Sequence, residues 1–159
     1  MGCARLDAEV YPDERVAGFV SEHFLPARIH VREQKADWDR YSARFGVQWT
    51  PTILIVDPSG TERHRIEGFL PVEEFLAQLV LGLGRSAFAR QQFSEAERRL
   101  REVVERFPGT AAAPEALYWA GVARYKATND ATALGATAEA FARQYQDSIW
   151  AKKASVWKK

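Results

Sequence analysis

One stretch in the middle of the chain restricts the fold more than any other. In residues 49–60, WTPTILIVDPSG, a proline stands directly before an apolar, β-branched run that ends at a turn. Because proline cannot donate to a sheet ladder, Pro51 marks the beginning of a strand rather than its middle. The run 53–56 is short, continuous and apolar, which is typical of a strand buried on both faces. Gly60 allows the chain to reverse, so residues 61–67 are predicted to return as a second strand.

The residues before this hairpin are predicted to form two helical segments and a strand. Apolar residues recur at helical spacing over 4–23, but Pro12 interrupts the pattern and cannot be held inside a regular helix. We therefore expect a break at Pro12 and a second helical segment capped by Asp13. Residues 24–31 then alternate loosely between apolar and polar side chains, which indicates a strand.

Two further helices are predicted on either side of the hairpin. Residues 37–45 carry aromatic side chains at helical spacing, and Gly46 stands where a helix commonly ends in a left-handed residue. Pro71 suits the first turn of a helix that we expect to end near Leu83. The predicted order of elements is therefore α, β, α, β, β, α.

This order resembles that of the thioredoxin fold, which is β, α, β, α, β, β, α with its first strand in the middle of the sheet. The predicted fold class is thus an α/β thioredoxin-like fold lacking its first strand. In that family a cis-proline loop precedes a central strand, and Trp49, Thr50 and Pro51 occupy this place here. The resemblance implies that the Thr50–Pro51 bond is cis and that the backbone of Thr50 binds an extended substrate. The alternative is that Pro51 only shapes a turn.

Cys3 is the only cysteine of the chain. The segments 3–7, 11–16 and 24–27 resemble a bacterial branch of the thioredoxin superfamily whose members carry Cys-x-x-Cys at this helix. On that register Cys3 is the second cysteine, which resolves the mixed disulfide that an upstream cysteine forms. A cysteine at a helix N-terminus favours the thiolate, which supports a catalytic Cys3. The alternative is that Cys3 is buried and behaves as a small apolar residue.

The resemblance also leads us to expect that Met1 is not the natural start of the folded domain. Both the central first strand and the first cysteine of the pair would precede it. Without that strand, buried backbone groups beside 53–56 would be left unpaired, which is costly. The alternatives are that this branch has lost the strand, or that a second copy of the chain supplies it by swapping.

The second half of the chain repeats itself with an offset of 37 residues, so that Gly84 corresponds to Gly121 and Ala96 to Ala133. Small residues at these positions would let paired helices approach closely. The pattern resembles the tetratricopeptide repeat, and residues 149–157 are predicted to form a helix that caps the last unit. Five aromatic residues of this region are assigned to the repeat core rather than to a ligand site: Tyr118, Trp119, Tyr125, Trp150 and Trp157.

We therefore expect two units, a thioredoxin-like domain over 1–83 and an all-α region of tetratricopeptide-like helical hairpins over 84–159. The linker between them is too short for freely moving domains. The last helix of the first unit is expected to pack against the first repeat helix or to run into it.

The composition excludes several other classes of protein. With 22 basic and 21 acidic residues the net charge is +1, which favours neither a nucleic acid nor an anionic membrane as partner. No apolar run approaches the roughly 20 residues that cross a bilayer. The three histidines, His23, His30 and His64, lack metal-ligand spacing, so we expect no metal and no other cofactor. A cytoplasmic location is the expectation.

The two resemblances imply thiol–disulfide handling of a protein or peptide substrate, with the helical repeats binding a protein partner. The chain would be a thiol–disulfide oxidoreductase if an upstream cysteine completes the pair, and inactive as it stands with Cys3 alone. The alternative is a non-enzymatic interaction module that uses the thioredoxin fold as a scaffold. Trapping of mixed disulfides separates the two functions.

Overall fold

The computed structural model describes residues 1–158. These residues form helices at both ends of the chain and one β-hairpin between them, in the following order: α1 (Gly2–Arg5), a π-helical turn (Leu6–Val10), α2 (Glu14–His23), α3 (Lys35–Phe45), β1 (Thr52–Val56), β2 (Glu62–Glu67), α4 (Val72–Ala89), α5 (Phe93–Arg106), α6 (Ala112–Thr128), α7 (Thr132–Arg143), α8 (Ile149–Ala154) and a 3-10 turn (Ser155–Trp157).

The break predicted at Pro12 is confirmed. The backbone N–H of Tyr11 donates to the carbonyl oxygen of Leu6 at 2.9 Å, which closes the π-helical turn before the proline. Pro12 has no N–H with which to extend the helix. Asp13 then caps α2, because its Oδ1 accepts from the backbone N–H of Arg15 at 2.9 Å.

The strand predicted at 24–31 is wrong. Phe24 has extended backbone angles, but within residues 1–158 the sheet contains only β1 and β2, and this segment joins no ladder. An extended segment becomes a strand only where another strand supplies its hydrogen bonds. The segment is held instead by a side chain, since Arg28 donates to both carboxylate oxygens of Asp7 at 2.9 Å.

The hairpin is antiparallel and presents one face to α4. Ile53 lies opposite Ile66 and Ile55 lies opposite His64. Gly82 of α4 lies directly against this face, because a Cβ added there would be 2.1 Å from Cδ1 of Ile55. A residue without a side chain at position 82 is therefore what lets the helix approach the sheet.

The other face of the hairpin is only partly covered, so the prediction that 53–56 is buried on both faces is wrong. Ile55 is 7% exposed, whereas Val56 is 40% exposed. On this second face, the guanidinium of Arg65 donates to the carbonyl oxygen of Phe45 at the end of α3. The end of α3 has the left-handed Gly46 that the sequence predicts, with φ 62° and ψ 34°.

Helix α4 continues beyond the predicted end near Leu83 and runs from Val72 to Ala89. The expectation that this helix packs against or runs into the first repeat helix is confirmed, because it is itself that helix. Gly82 contacts the sheet, while a Cβ on Gly84, two residues later, would be 2.7 Å from Cγ of Leu100 in α5. The boundary predicted between residues 83 and 84 therefore falls inside one continuous helix.

Each of the two helical hairpins has a close contact between a glycine of its first helix and a side chain of its second helix. A Cβ on Gly84 would be 2.7 Å from Cγ of Leu100, and a Cβ on Gly121 would be 2.1 Å from Oγ1 of Thr137. Leu100 and Thr137 are separated by the same offset as the two glycines. The hairpin α4–α5 and the hairpin α6–α7 thus close through equivalent positions, as the repeat in the sequence indicates.

The end of the chain covers the second hairpin. Ala154 of α8 is fully buried. The ring of Trp157 stacks on that of Tyr118 in α6 at a centroid distance of 4.7 Å, and the ring of Trp150 lies 5.3 Å from it. Aromatic residues of the tail therefore pack on the last repeat.

Candidate functional site at the start of the first helix

The thiol of Cys3 lies in the first turn of α1 and is exposed to solvent. The alternative that Cys3 is a buried apolar residue is therefore wrong. Gly2, the preceding residue, lies against the proline loop, because a Cβ added there would be 2.9 Å from Cδ of Pro51 and 3.7 Å from Cβ of Phe69. The turn that carries the thiol and the proline loop are thus neighbours in the fold.

The proline loop exposes one residue with free backbone groups. The peptide bond between Thr50 and Pro51 is cis. The carbonyl oxygen of Pro51 accepts from the N–H of Gly68 at 2.8 Å, and that of Trp49 accepts from Oγ1 of Thr52 at 2.7 Å. Among residues 1–158, neither the N–H nor the C=O of Thr50 has a hydrogen-bond partner. These two groups can pair with an extended peptide.

Trp49 extends this exposed surface. Its side chain is 69% exposed and directly precedes Thr50. An indole in this position offers a large apolar surface and one N–H donor to a chain that pairs with Thr50. The structure thus brings three of the predicted site residues, Trp49, Thr50 and Pro51, into one loop beside the turn of Cys3.

Two ion pairs hold the helix that carries the thiol. Arg5 donates two bonds of 2.8 Å to the carboxylate of Glu9, and its guanidinium carbon lies 3.8 Å above the ring of Phe69. These bonds lower the pKa of the Glu9 carboxyl. The second pair joins Arg28 to Asp7. Both pairs are exposed, and exposed pairs stabilise a fold only weakly.

Sequence reasoning missed these supporting residues for different reasons. Arg5 and Glu9 have the i, i+4 spacing of a helical ion pair, which is a usable signal. Arg28 and Asp7 are 21 residues apart, and nothing in the sequence indicates their contact. Phe69 follows the hairpin, and its contact with Arg5 depends on how the hairpin and α1 meet.

Within the part of the chain that the structure describes, no three His, Cys, Asp or Glu side chains form a group that could hold a metal ion. None of the described helices is both long and apolar enough to cross a bilayer. What the described residues bring together is a single exposed thiol and a loop whose Thr50 backbone groups have no hydrogen-bond partner.

Comparison with known families agrees with this architecture. Residues 1–82 match the family model described as a thioredoxin-like domain, and residues 78–110 match that of a tetratricopeptide repeat. The first match covers more than half of the chain, so the protein belongs to the thioredoxin-like family. It is a thioredoxin-fold protein that carries a repeat of a class that generally mediates protein–protein interaction. No curated protein and no solved structure matches the chain.

The two matched segments overlap at residues 78–82. These residues lie inside α4, which contacts the sheet at Gly82 and α5 at Gly84. The overlap of the two family matches therefore has a structural basis, since one helix completes the first unit and begins the second.

Proposed function

We propose that this protein exchanges thiols with disulfides of an extended protein substrate, while its helical region binds a protein partner. The two tasks divide between residues 1–83 and 84–159, which share α4. The observation that carries the proposal is the contact of Gly2 with Pro51, because it sets the turn of Cys3 beside the free backbone groups of Thr50.

The exchange proceeds by attack of the Cys3 thiolate on one sulfur of the substrate disulfide. A new S–S bond joins Cys3 to that sulfur, and the second substrate sulfur leaves as a thiolate. Throughout, Thr50 holds the substrate backbone through its N–H and C=O, and Trp49 lies along the bound chain. Attack by a second thiol on the Cys3 sulfur of the mixed disulfide then forms an S–S bond between Cys3 and that thiol and releases the remaining substrate sulfur as a thiolate. The substrate disulfide has then gained two electrons, which Cys3 and the second thiol supply.

The second thiol comes from outside this sequence, which contains one cysteine. If an upstream cysteine completes a Cys-x-x-Cys pair, that cysteine attacks first and Cys3 becomes the resolving thiol. In its absence the mixed disulfide at Cys3 has no internal route to resolution, so the chain forms this bond without rapid turnover. Either route leaves the roles of Trp49 and Thr50 unchanged.

The test compares a peptide disulfide with a small disulfide of similar reactivity. Trp49→Ala should slow formation of the mixed disulfide with the peptide several-fold and leave the rate with the small disulfide unchanged. Leu25→Ala is the matched control, because Leu25 is also exposed, at 101%, but lies outside the proline loop. Cys3→Ser should abolish both reactions.

Equal rates of parent and Trp49→Ala with the peptide disulfide would mean that Trp49 and the proline loop do not bind the substrate. Absence of any mixed disulfide in the parent, with partner binding retained by the helical region, would leave the second function, a non-enzymatic interaction module. The observation that favours this second function is the single cysteine of the sequence, since a thiol–disulfide exchange cycle requires a second thiol.

A further inference from the structure

Helix α8 and the 3-10 turn that follows it present one exposed face to solvent. Ile149, Lys152, Lys153 and Val156 have the i, i+3, i+4, i+7 spacing that places residues on one side of a helix. All four side chains are exposed, and the exposed fractions of Ile149 and Val156 are 60% and 79%. We refer to these four residues as the tail face.

The opposite side of the same segment is packed on the last repeat. Ala154 is fully buried, and the rings of Trp150 and Trp157 lie against the ring of Tyr118 in α6. The segment is therefore held in place by its aromatic side chains. The tail face points away from that packing, so its two aliphatic side chains are exposed by the fold itself.

Positive charge is concentrated at this end of the chain. Residues 148–159 contain four lysines and no acidic residue, whereas the rest of the chain carries 18 of the 22 basic residues and all 21 acidic residues. Within residues 1–158, no carboxylate forms an ion pair with Lys152, Lys153 or Lys158. The lysines of the tail are thus available to an external anion.

A cavity of about 260 Å³ opens beside the tail face. Its lining includes apolar side chains, two lysines, a hydroxyl and an amide: Phe141, Ala151, Lys152, Lys158, Ser155 and Gln146. The Ser155 hydroxyl already donates to the carbonyl oxygen of Lys152 at 2.7 Å. The donors left for a ligand are therefore two ammonium groups and one amide, and the lining contains no carboxylate to compete for them.

We propose that the tail face binds the surface of an anionic phospholipid bilayer. Lysines near such a surface are attracted to its negative potential. Ile149 and Val156 enter the boundary between headgroups and acyl chains, and the phosphate of one lipid occupies the cavity between Lys152 and Lys158. The net charge of +1 does not favour such a surface, but it averages over a chain whose positive charge is concentrated at one end.

The side chains of the tail favour a lipid over a nucleic acid. Single-stranded nucleic acids bind to exposed aromatic rings, but Trp150 and Trp157 are already packed on Tyr118. Residues 148–159 also lack arginine, the side chain best suited to phosphates and bases of nucleic acids. Exposed aliphatic side chains gain nothing from a phosphate backbone, whereas a bilayer removes their surface from water.

The test is sedimentation of the full chain with vesicles. Vesicles of phosphatidylcholine and phosphatidylserine in equal amounts supply the anionic surface, and vesicles of phosphatidylcholine alone are the neutral control. The parent should bind the first and not the second, and sodium chloride should weaken binding because it screens the lysines. Glycerol 3-phosphate, a soluble phosphate ester, should displace the protein no more than sodium chloride of equal ionic strength.

Substitutions then assign the binding to the tail face. Lys152→Gln and Lys153→Gln should each weaken binding about fivefold, and Lys152→Arg should retain it. Replacement of both Ile149 and Val156 by serine should weaken binding about tenfold or more and leave its salt dependence in place. Lys35→Gln is the matched control, because it removes one exposed lysine from α3 and should have no effect.

The melting temperature should not change in these variants, since the substituted side chains are exposed. Four results would overturn the proposal: no binding to anionic vesicles, equal binding to neutral vesicles, equal losses in Lys152→Gln and Lys35→Gln, or specific displacement by glycerol 3-phosphate. The last result would mean that the cavity binds a soluble phosphate ester. Lysine-dependent binding of a single-stranded RNA, without binding to vesicles, would identify a nucleic acid as the partner instead.

Discussion

The close approach of α6 and α7 at Gly121 allows a sharp test of the repeat. A Cβ on Gly121 would lie 2.1 Å from Oγ1 and 2.8 Å from both Cβ and Cγ2 of Thr137. Thr137 cannot easily turn away, because its hydroxyl donates to the carbonyl oxygen of Ala133 at 2.8 Å and its side chain is branched at Cβ. Gly121→Ala should therefore force α6 and α7 apart.

The magnitude follows from two opposing terms. Replacement of glycine by alanine inside a helix contributes about 1 kcal/mol of stability. Overpacking of a well-packed contact costs about 1–3 kcal/mol, and loss of the Thr137 hydrogen bond costs about 1 kcal/mol more. The net expectation for Gly121→Ala is destabilisation by about 1–3 kcal/mol. A fall in melting temperature of roughly 2–10 °C follows for a chain of this length. Gly121→Leu should cost more.

Gly18→Ala is the matched control, because Gly18 lies inside α2 and a Cβ there would meet nothing within 4 Å. This variant should gain up to about 1 kcal/mol, so the two glycine substitutions should change stability in opposite directions. Both are measured by thermal and urea unfolding. In the double variant Gly121→Ala with Thr137→Ala, removal of Oγ1 and Cγ2 should recover part of the loss, with a coupling of about 0.5 kcal/mol or more.

If Gly121→Ala stabilises the protein as Gly18→Ala does, the reasoning is refuted. The contact between α6 and α7 would then be loose enough to accept a methyl group. The equivalence of Gly121 with Gly84, and the alignment of the two hairpins, would lose their physical basis.

Three further predictions concern His64, Asp57 and Cys3. Burial holds the pKa of His64 below its ordinary 6.5, so stability should be full above pH 6.5 and fall with acid, and His64→Gln should abolish that slope. Bonds from Ser59 and Arg63 hold the pKa of Asp57 well below 3.8. Stability should therefore fall below about pH 4, and less steeply in Asp57→Asn. Cys3 alone should not accelerate reduction of insulin by dithiothreitol, because its mixed disulfide has no internal route to resolution; clear turnover would contradict this.

Much of the fold could be predicted because its signals are local. Pro12 ends a helix since it lacks an N–H, and Gly46 ends another since it accepts a left-handed conformation. The hairpin follows from an apolar run between Pro51 and Gly60, because proline cannot continue a sheet ladder and glycine allows the chain to reverse. The repeat was also visible, because the small residues that close each helical hairpin recur at one spacing.

The candidate site was only half visible from the sequence. Trp49, Thr50 and Pro51 adjoin in the chain, so a family resemblance was enough to single them out. The contact of Gly2 with Pro51 joins segments nearly fifty residues apart, and no local pattern encodes it. The sequence alone assigned Trp119 to the repeat core. Its shielded, unpaired N–H could not be predicted, because this state of the indole depends on the packing of α4 against α6.

Local chemistry therefore determined where helices, turns and the hairpin begin and end, because caps, breakers and periodicity act within a few residues. The tertiary structure alone decided that residues 24–31 stay outside the sheet, since a strand requires a neighbour to supply its hydrogen bonds. It also decided that α4 belongs to both units, since Gly82 and Gly84 allow close packing only because the sheet and α5 contact the same helix. Burial and strand pairing depend on elements distant in the chain, and for that reason local sequence patterns do not determine them.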